Sequence, residues 1–217
     1  MEIDKFIASL PFELAPLRDV AVRLSSGANE VKSDTIGLSY RPHVAPQFYA
    51  LRLFSPLPQP NLAQYQLING INISPHYLPI LEKLNGANVF QLSLFGVPPS
   101  MANNPPLLDR STENPYDISI ANKNWKFEFD IPKDWFYFGG GPFSFDENVG
   151  YFFDSVGTIY SVRNNGVRLS SWHSFPMFLH DEISRCESLY PEYEGFMAEL
   201  IRESNSPKPW WRRIFKK

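Results

Sequence analysis

Hydrophobic positions recur along this 217-residue chain with two different periods, and the places where the period changes divide it into four stretches. In residues 1–59, Leu14, Leu17, Val20, Ala21 and Leu24 follow the three- and four-residue spacing of one helix face. The stretch ends in Ser55-Pro56-Leu57-Pro58-Gln59-Pro60, whose prolines interrupt regular backbone pairing and predict a linker. Residues 1–59 therefore read as an N-terminal extension, either packed on the core or standing apart. The next stretch, 61–97, reads as helix, helix, strand. A helix over Asn61–Ile68 stops at Asn69-Gly70, and another begins with Ser74 as N-cap and Pro75 at the first helical position. Tyr77, Ile80, Leu81 and Leu84 share one face of it, but Pro79 crowds the carbonyl four residues back, so this helix should kink or start late. Asn85-Gly86 offers a left-handed stop, after which Phe90, Leu92 and Leu94 alternate with Gln91 and Ser93 as in a half-buried strand.

Residues 98–123 form a polar, proline-interrupted connection, long enough to carry a role of its own. Beyond it the period is two. Trp125, Phe127, Phe129 and Ile131 alternate with Lys126, Glu128 and Asp130, which predicts a strand with one core face and one wet face. Further strands are predicted at Trp135–Phe138, Val149–Phe153, Thr158–Arg163 and Val167–Ser170, joined by a turn at Asp154–Gly157 and by the hairpin signal Asn164-Asn165-Gly166. Ser174 then caps a helix whose apolar face is Phe175, Phe178, Leu179, Ile183 and Cys186. A last helix over Pro191–Glu203 is expected to bury Phe196, Met197, Leu200 and Ile201. The sum is an α+β domain at 60–206, with a largely antiparallel or mixed sheet and helices packed on one side, followed by a basic aromatic tail at 207–217.

Composition narrows the function classes. With 43% hydrophobic residues, the chain can bury enough apolar surface to fold, which excludes global disorder. A single cysteine, Cys186, can form neither an internal disulfide nor a multi-thiolate metal site, and a reducing cytoplasm is the expected home. The first residues include acids and no sustained apolar run, so they read as neither a secretion signal nor an anchor. Five of the 20 basic residues and none of the 23 acids fall in the last eleven positions, so the tail carries +5 and the preceding 206 residues carry −8. A body of that sign repels phosphate backbones, so no direct nucleic-acid contact is expected and a basic protein partner suits it better.

Few residues offer chemistry. His43, His76, His173 and His180 are scattered, and His180-Asp181-Glu182 is expected to be a solvated helix face because successive helical residues point in different directions. Cys186, on an apolar stripe, reads as a buried structural thiol. Gly139-Gly140-Gly141 runs into Pro142 and more strand, which points to a tight turn or bulge and not to a phosphate loop. Asp130, Asp134, Asp146, Glu147 and Asp154 fall at strand ends and turns of one sheet region. They could bind a cation, act as a carboxylate pair on a sugar, dock a cationic protein, or simply cap turns. No cofactor and no metal is implied. Trp210, Trp211, Arg212 and Arg213 in the tail are candidate contacts, expected to fold back on the acidic body in preference to a membrane surface.

The order of parts over roughly residues 60–185 resembles the SUKH superfamily, which includes bacterial toxin-immunity proteins and fungal cell-wall synthesis regulators. Gly70-Ile71-Asn72-Ile73-Ser74-Pro75-His76-Tyr77 resembles its loop into a Pro-capped helix, and Leu84-Asn85-Gly86 its helix-ending Asn-Gly. Phe138-Gly139-Gly140-Gly141 followed by Val149-Gly150-Tyr151-Phe152-Phe153-Asp154 is similar to its Gly-rich turn and aromatic strand. Trp172-His173-Ser174-Phe175 with Phe178-Leu179 resembles the start of its closing helix. Ala87 stands where many members have a second Gly, and Pro142-Phe143 where a Gly-Asp pair is common. The resemblance implies a SUKH-like fold and a non-enzymatic, immunity-type protein that occludes the active site of a bacterial polymorphic toxin domain. It tips the five acids towards docking, with a basic nuclease as the toxin class that charge would favour. The alternative it leaves is a regulatory scaffold for host proteins, and the residues themselves leave a metal- or sugar-dependent enzyme.

Overall fold

Nine strands lie side by side in the order in which the chain makes them, so each new strand is added to the edge left by the one before. The computed structural model describes residues 3–32, 34–44, 47–98, 114–144 and 147–205. Helices α1 (Ile3–Ser9) and α2 (Ala15–Leu24), joined by a 3₁₀ turn at Phe12–Leu14, lead into β1 (Glu30–Val31), β2 (Thr35–Tyr40) and β3 (Tyr49–Phe54). Helix α3 (Gln59–Asn69) and the single turn α4 (Leu78–Leu81) precede β4 (Ala87–Val89) and β5 (Leu92–Leu94). Helix α5 (Ile118–Lys123) and a 3₁₀ turn at Trp125–Glu128 lead to β6 (Phe136–Pro142), β7 (Asn148–Phe153), β8 (Ile159–Arg163), β9 (Arg168–Trp172) and α6 (Phe175–Asn205). Every strand pairing is antiparallel, which makes this an α+β fold.

The two faces of the sheet are covered differently. On one face Phe138, Tyr151 and Phe153 pack against Tyr77 before α4 and against Phe175 and Phe178 of α6. Ile36, Leu38, Leu51 and Leu53, paired across β2 and β3, are fully buried in the same core as Leu14, Leu17 and Ala21 from the α2 region. Adjacent strand residues point to opposite sides, so Tyr137 and Phe152 lie on the other face. Their rings stack at 4.6 Å beneath Phe129, just after the second 3₁₀ turn.

Local chemistry sets the element ends. Gly70 closes α3 at φ +57°, and Gly157 and Gly166 turn their hairpins at φ +93° and +80°. Pro79 sits in the first turn of α4, so that helix starts late and is short. Ser174 Oγ accepts from the Met177 amide at the start of α6.

Several expectations change. Residues 30–54 hold three strands, and the proline run after them ends inside the first turn of α3. The single strand expected at Phe90–Leu94 belongs to a hairpin: Phe90 turns at φ +54°, held there by burial against Tyr190 at 5.2 Å. The end of the 98–123 connection is α5, because Asp117 caps it by accepting from the Ser119 and Ile120 amides. The strand expected at Trp125–Ile131 is a 3₁₀ turn followed by coil, with Phe127 77% exposed. Trp125 and Phe129 instead pack edge-on against Phe95 and Phe152, and the Lys126 ammonium donates to the Lys133 and Trp135 carbonyls, tying the segment down without a strand partner. Strand β6 runs through all three glycines, and the bulge falls at Phe138, between Tyr137 and Gly139.

The two C-terminal helices are one. Helix α6 continues through Pro191, at an exposed position, and Phe196 is 39% exposed where burial was expected. The Leu200 and Ile201 side chains lie outside the described residues. Glu182 is not part of a solvated face: it is 5% exposed, accepts from Tyr151 Oη at 2.5 Å and pairs with Arg185 at 2.6 Å. Burial is the largest single influence on Arg185 and opposes its charge, but the Glu182 hydrogen bond and the charge interactions with Tyr151, Cys186 and Glu182 together hold the guanidinium pKa above its ordinary value. His180 and Asp181 do lie exposed.

Candidate protein-binding surface

The sheet face opposite α6 carries a groove, and its floor follows from the register. Across β3, β4, β5, β6 and β7 the residues Arg52, Asn88, Ser93, Gly140 and Gly150 stand opposite one another in one row. Small or flat groups in that row leave the floor low. Gly140 lines the hollow, whereas Gly150 is covered by the Phe152 and Phe129 rings, which a Cβ there would meet at 2.6 and 2.8 Å and displace. A hollow of about 280 Å³ lined by Tyr49, Arg52, Asn88 and Gln91 adjoins one of about 480 Å³ lined by Tyr116, Trp125, Glu128 and Tyr137. The two share Gln91, Ser93 and Tyr116. A third, of about 190 Å³, extends from Gln91 and Asn148 to Tyr193 and Phe196 of α6.

Aromatic rings wall this groove and few charges enter it. Tyr116, 47% exposed, and Trp125 both pack edge-on against Phe95, at 6.0 and 5.9 Å, so their positions are set before anything binds. Arg52 is buried, donates to the Gln47 carbonyl at 2.8 Å and lies over the Tyr49 ring. In the floor, Asn88 Oδ1 and Gln91 Nε2 are buried without a hydrogen-bond partner among the described residues. Most buried polar atoms are satisfied, so an unmet acceptor and an unmet donor in one groove favour a polar occupant.

Two asparagines hold the groove's supports by imitating a strand. Asn122 Nδ2 donates to the Tyr137 carbonyl at 2.8 Å and its Oδ1 accepts from the Tyr137 amide at 3.0 Å, which fastens α5 to β6. Asn85 does the same with Val97, at 2.7 and 2.8 Å. Tyr65 Oη donates to Asp117, linking α3 to the α5 cap, and burial first, then that bond, raises the phenol pKa.

The five acids are not gathered on one patch. Asp134 and Asp154 line a cleft of about 400 Å³ at the loop end of the sheet, together with His76, Lys123, Lys126 and Lys133. Burial lowers the Lys126 pKa there, against the pull of Asp134. Asp154 also works as a turn cap, its Oδ1 accepting from the Val156 and Thr158 amides at 3.0 and 2.8 Å. Glu147, at the opposite end of β7, pairs with Arg163 at 3.1 Å, and Asp130 packs beside Gly166 at that same end. Asp146 and the tail residues Trp210, Trp211, Arg212 and Arg213 lie outside the described residues.

Cys186 is buried, and burial pushes its thiol pKa up to about 12, the reverse of what a nucleophile needs. Among the described residues no group of three or more His, Cys, Asp or Glu is placed to hold a metal ion, and no helix is long and apolar enough to cross a membrane. The groove residues come from six separate parts of the chain, so no short motif marks them. Compared with known proteins, the chain matches no family model, no curated protein and no solved structure.

Proposed function

We propose that this chain is a non-enzymatic, SUKH-like immunity protein that binds a bacterial toxin domain and blocks its active site. The observation that supports protein binding is the groove: aromatic walls fixed in place, little charge, and an open length spanning β3 to α6. Tyr and Trp anchors in such settings dominate protein–protein affinity. The resemblance of the Asn-Gly, Gly-rich and Ser-Phe segments to the superfamily is what points to a toxin as the partner.

The acids take a secondary part in this reading. Glu147, Asp130 and the other acids outside the groove would steer a cationic domain such as a basic nuclease without supplying much of the bound-state energy. Affinity capture from the protein's own source, followed by co-expression of the captured domain, tests both parts. One stoichiometric partner whose toxicity is relieved by this chain is expected, and Trp125→Ala should weaken the relief. Charge reversal at Glu147 and Asp154 should slow association several-fold at low salt and much less at high salt. Several housekeeping partners, or none, would overturn the immunity reading.

A further inference from the structure

The two edges of the sheet are finished in different ways. The β1 edge is two residues long and carries a charged pair, Glu30 with Lys32 at 3.6 Å. Short length and charge both discourage another strand from joining. The β9 edge is five residues long, with exposed Ser170 and Ser171 at its centre. Among the described residues it pairs only with β8, and its bulge falls at Leu169, which leaves Ser170–Trp172 in regular register. Among the described residues no hydrogen bond reaches the outer side of Leu169–Trp172. Every second residue of such a strand points its N–H and C=O outward, so this edge presents alternating donors and acceptors to solvent.

The large side chains of β9 are pinned to the faces and leave the edge clear. Arg168 lies over the Trp135 and Tyr160 rings, at 4.6 and 5.2 Å, on the groove side of the sheet. Trp172 is buried on the α6 side, and its Nε1 donates to Asp181 at 2.9 Å. Exposed apolar residues precede and follow the strand in the chain: Val167 next to Arg168, and Met177 in the first turn of α6, just after Trp172.

We infer that β9 accepts a tenth strand, an extended segment of a partner protein, with an acidic residue at the end meeting Arg168 and an apolar residue at the end where the chain passes from Trp172 to Met177. Backbone pairing supplies the affinity and the two ends supply the direction. A second copy of this chain fits less well. Twofold pairing of β9 with itself brings Arg168 to the other copy's Trp172 end, where among the described residues the carboxylate held by Trp172, Asp181, lies on the opposite face from the guanidinium. The inference rests on the reading that this chain works by binding protein, and does not require that the protein be a toxin.

The test pans a displayed random-peptide library on the full chain and follows the enriched peptides by amide hydrogen exchange. Slowed exchange at Ser170–Trp172 is expected. N-methylation of the bound peptide at alternate residues should weaken binding about tenfold per blocked pairing amide, and at the intervening residues hardly at all. No enriched peptide would overturn the inference, as would protection that maps to the Tyr116–Trp125 groove. Concentration-dependent protection of β9 without peptide would also overturn it and assign the edge to self-association. If the peptides pair with β9 while no captured domain is neutralised, the immunity reading falls and the tenth strand stands.

Discussion

The two faces of one sheet are put to different uses over β6 and β7. Phe138, fully buried, is enclosed by Tyr77, Phe153, Phe175 and Phe178, all within 6 Å between ring centres. One residue earlier, Tyr137 faces the other way, under Phe95, Phe129 and Phe152, with an open groove beside it. Aromatic rings are abundant on both sides, so composition does not separate core from surface. What separates them is α6, which closes one face along its length, whereas a six-residue helix and a 3₁₀ turn close only part of the other. Ring-rich sequence near the Gly-rich strand therefore fills a closed core on one side and lines an open groove on the other.

The sharpest way to break that comparison is to truncate one ring on each face. Phe138→Ala empties the middle of the covered face and should cost about 4 kcal/mol. For a chain of this size that lowers Tm by roughly 10 °C in a thermal melt. Trp125→Ala removes a half-buried ring from the groove side and should cost about 1 kcal/mol, while weakening partner binding by about thirtyfold. Equal losses of Tm in the two variants would show that the groove wall is core, and would remove the main support for protein binding.

A second variant probes the ion pair on α6 whose hydrogen bonds reach across to the sheet. Glu182 on α6 accepts from Tyr151 on β7 and from Arg185, which itself donates to the Pro142 carbonyl at 2.6 Å. Glu182→Ala leaves the phenol without its acceptor and a half-buried guanidinium without its counter-ion. The expected loss is about 3 kcal/mol by urea denaturation, with the groove and its ligands unaffected. A loss near zero would mean that α6 is held by its apolar contacts alone.

Much of the architecture is readable locally and the rest is not, for physical reasons that particular residues show. Gly70, Gly157 and Gly166 mark true turns because left-handed backbone is a local demand. Ser74, Ser174 and Asp154 hydrogen-bond amides two to four residues on, as short polar side chains do wherever they sit. Strands β2 and β3 escape a search for alternation because both of their faces are buried, with Gly37 and Arg52 standing where a clean pattern would need something else. Trp125–Ile131 errs in the opposite direction. Its alternation is genuine, but no strand is available to pair with it, and the rings reach the sheet from a 3₁₀ turn. The groove was legible least of all, since Tyr49, Asn88, Tyr116, Trp125 and Tyr193 meet only after nine strands are laid in register.

A pH series tests how dry the covered face is. Cys186 sits on α6 beside Arg185, and burial raises its thiol pKa to about 12, with Arg185 opposing the rise. An unfolded thiol has a pKa of about 8.5. Above that value the unfolded chain gives up a proton that the folded chain keeps, so the thiol's contribution is complete at neutral pH and is lost as pH rises from about 8.5 towards about 12. By pH 10 the difference should reach about 2 kcal/mol. Buried tyrosines on the same face titrate in the same direction, which is why the comparison must be with Cys186→Ala and not with neutral pH alone. The urea midpoint of the natural chain should therefore fall more steeply between pH 8 and pH 10 than that of Cys186→Ala. Parallel slopes would mean that water reaches the thiol, and that α6 closes its face less completely than the packing of Phe178 and Leu179 around it requires.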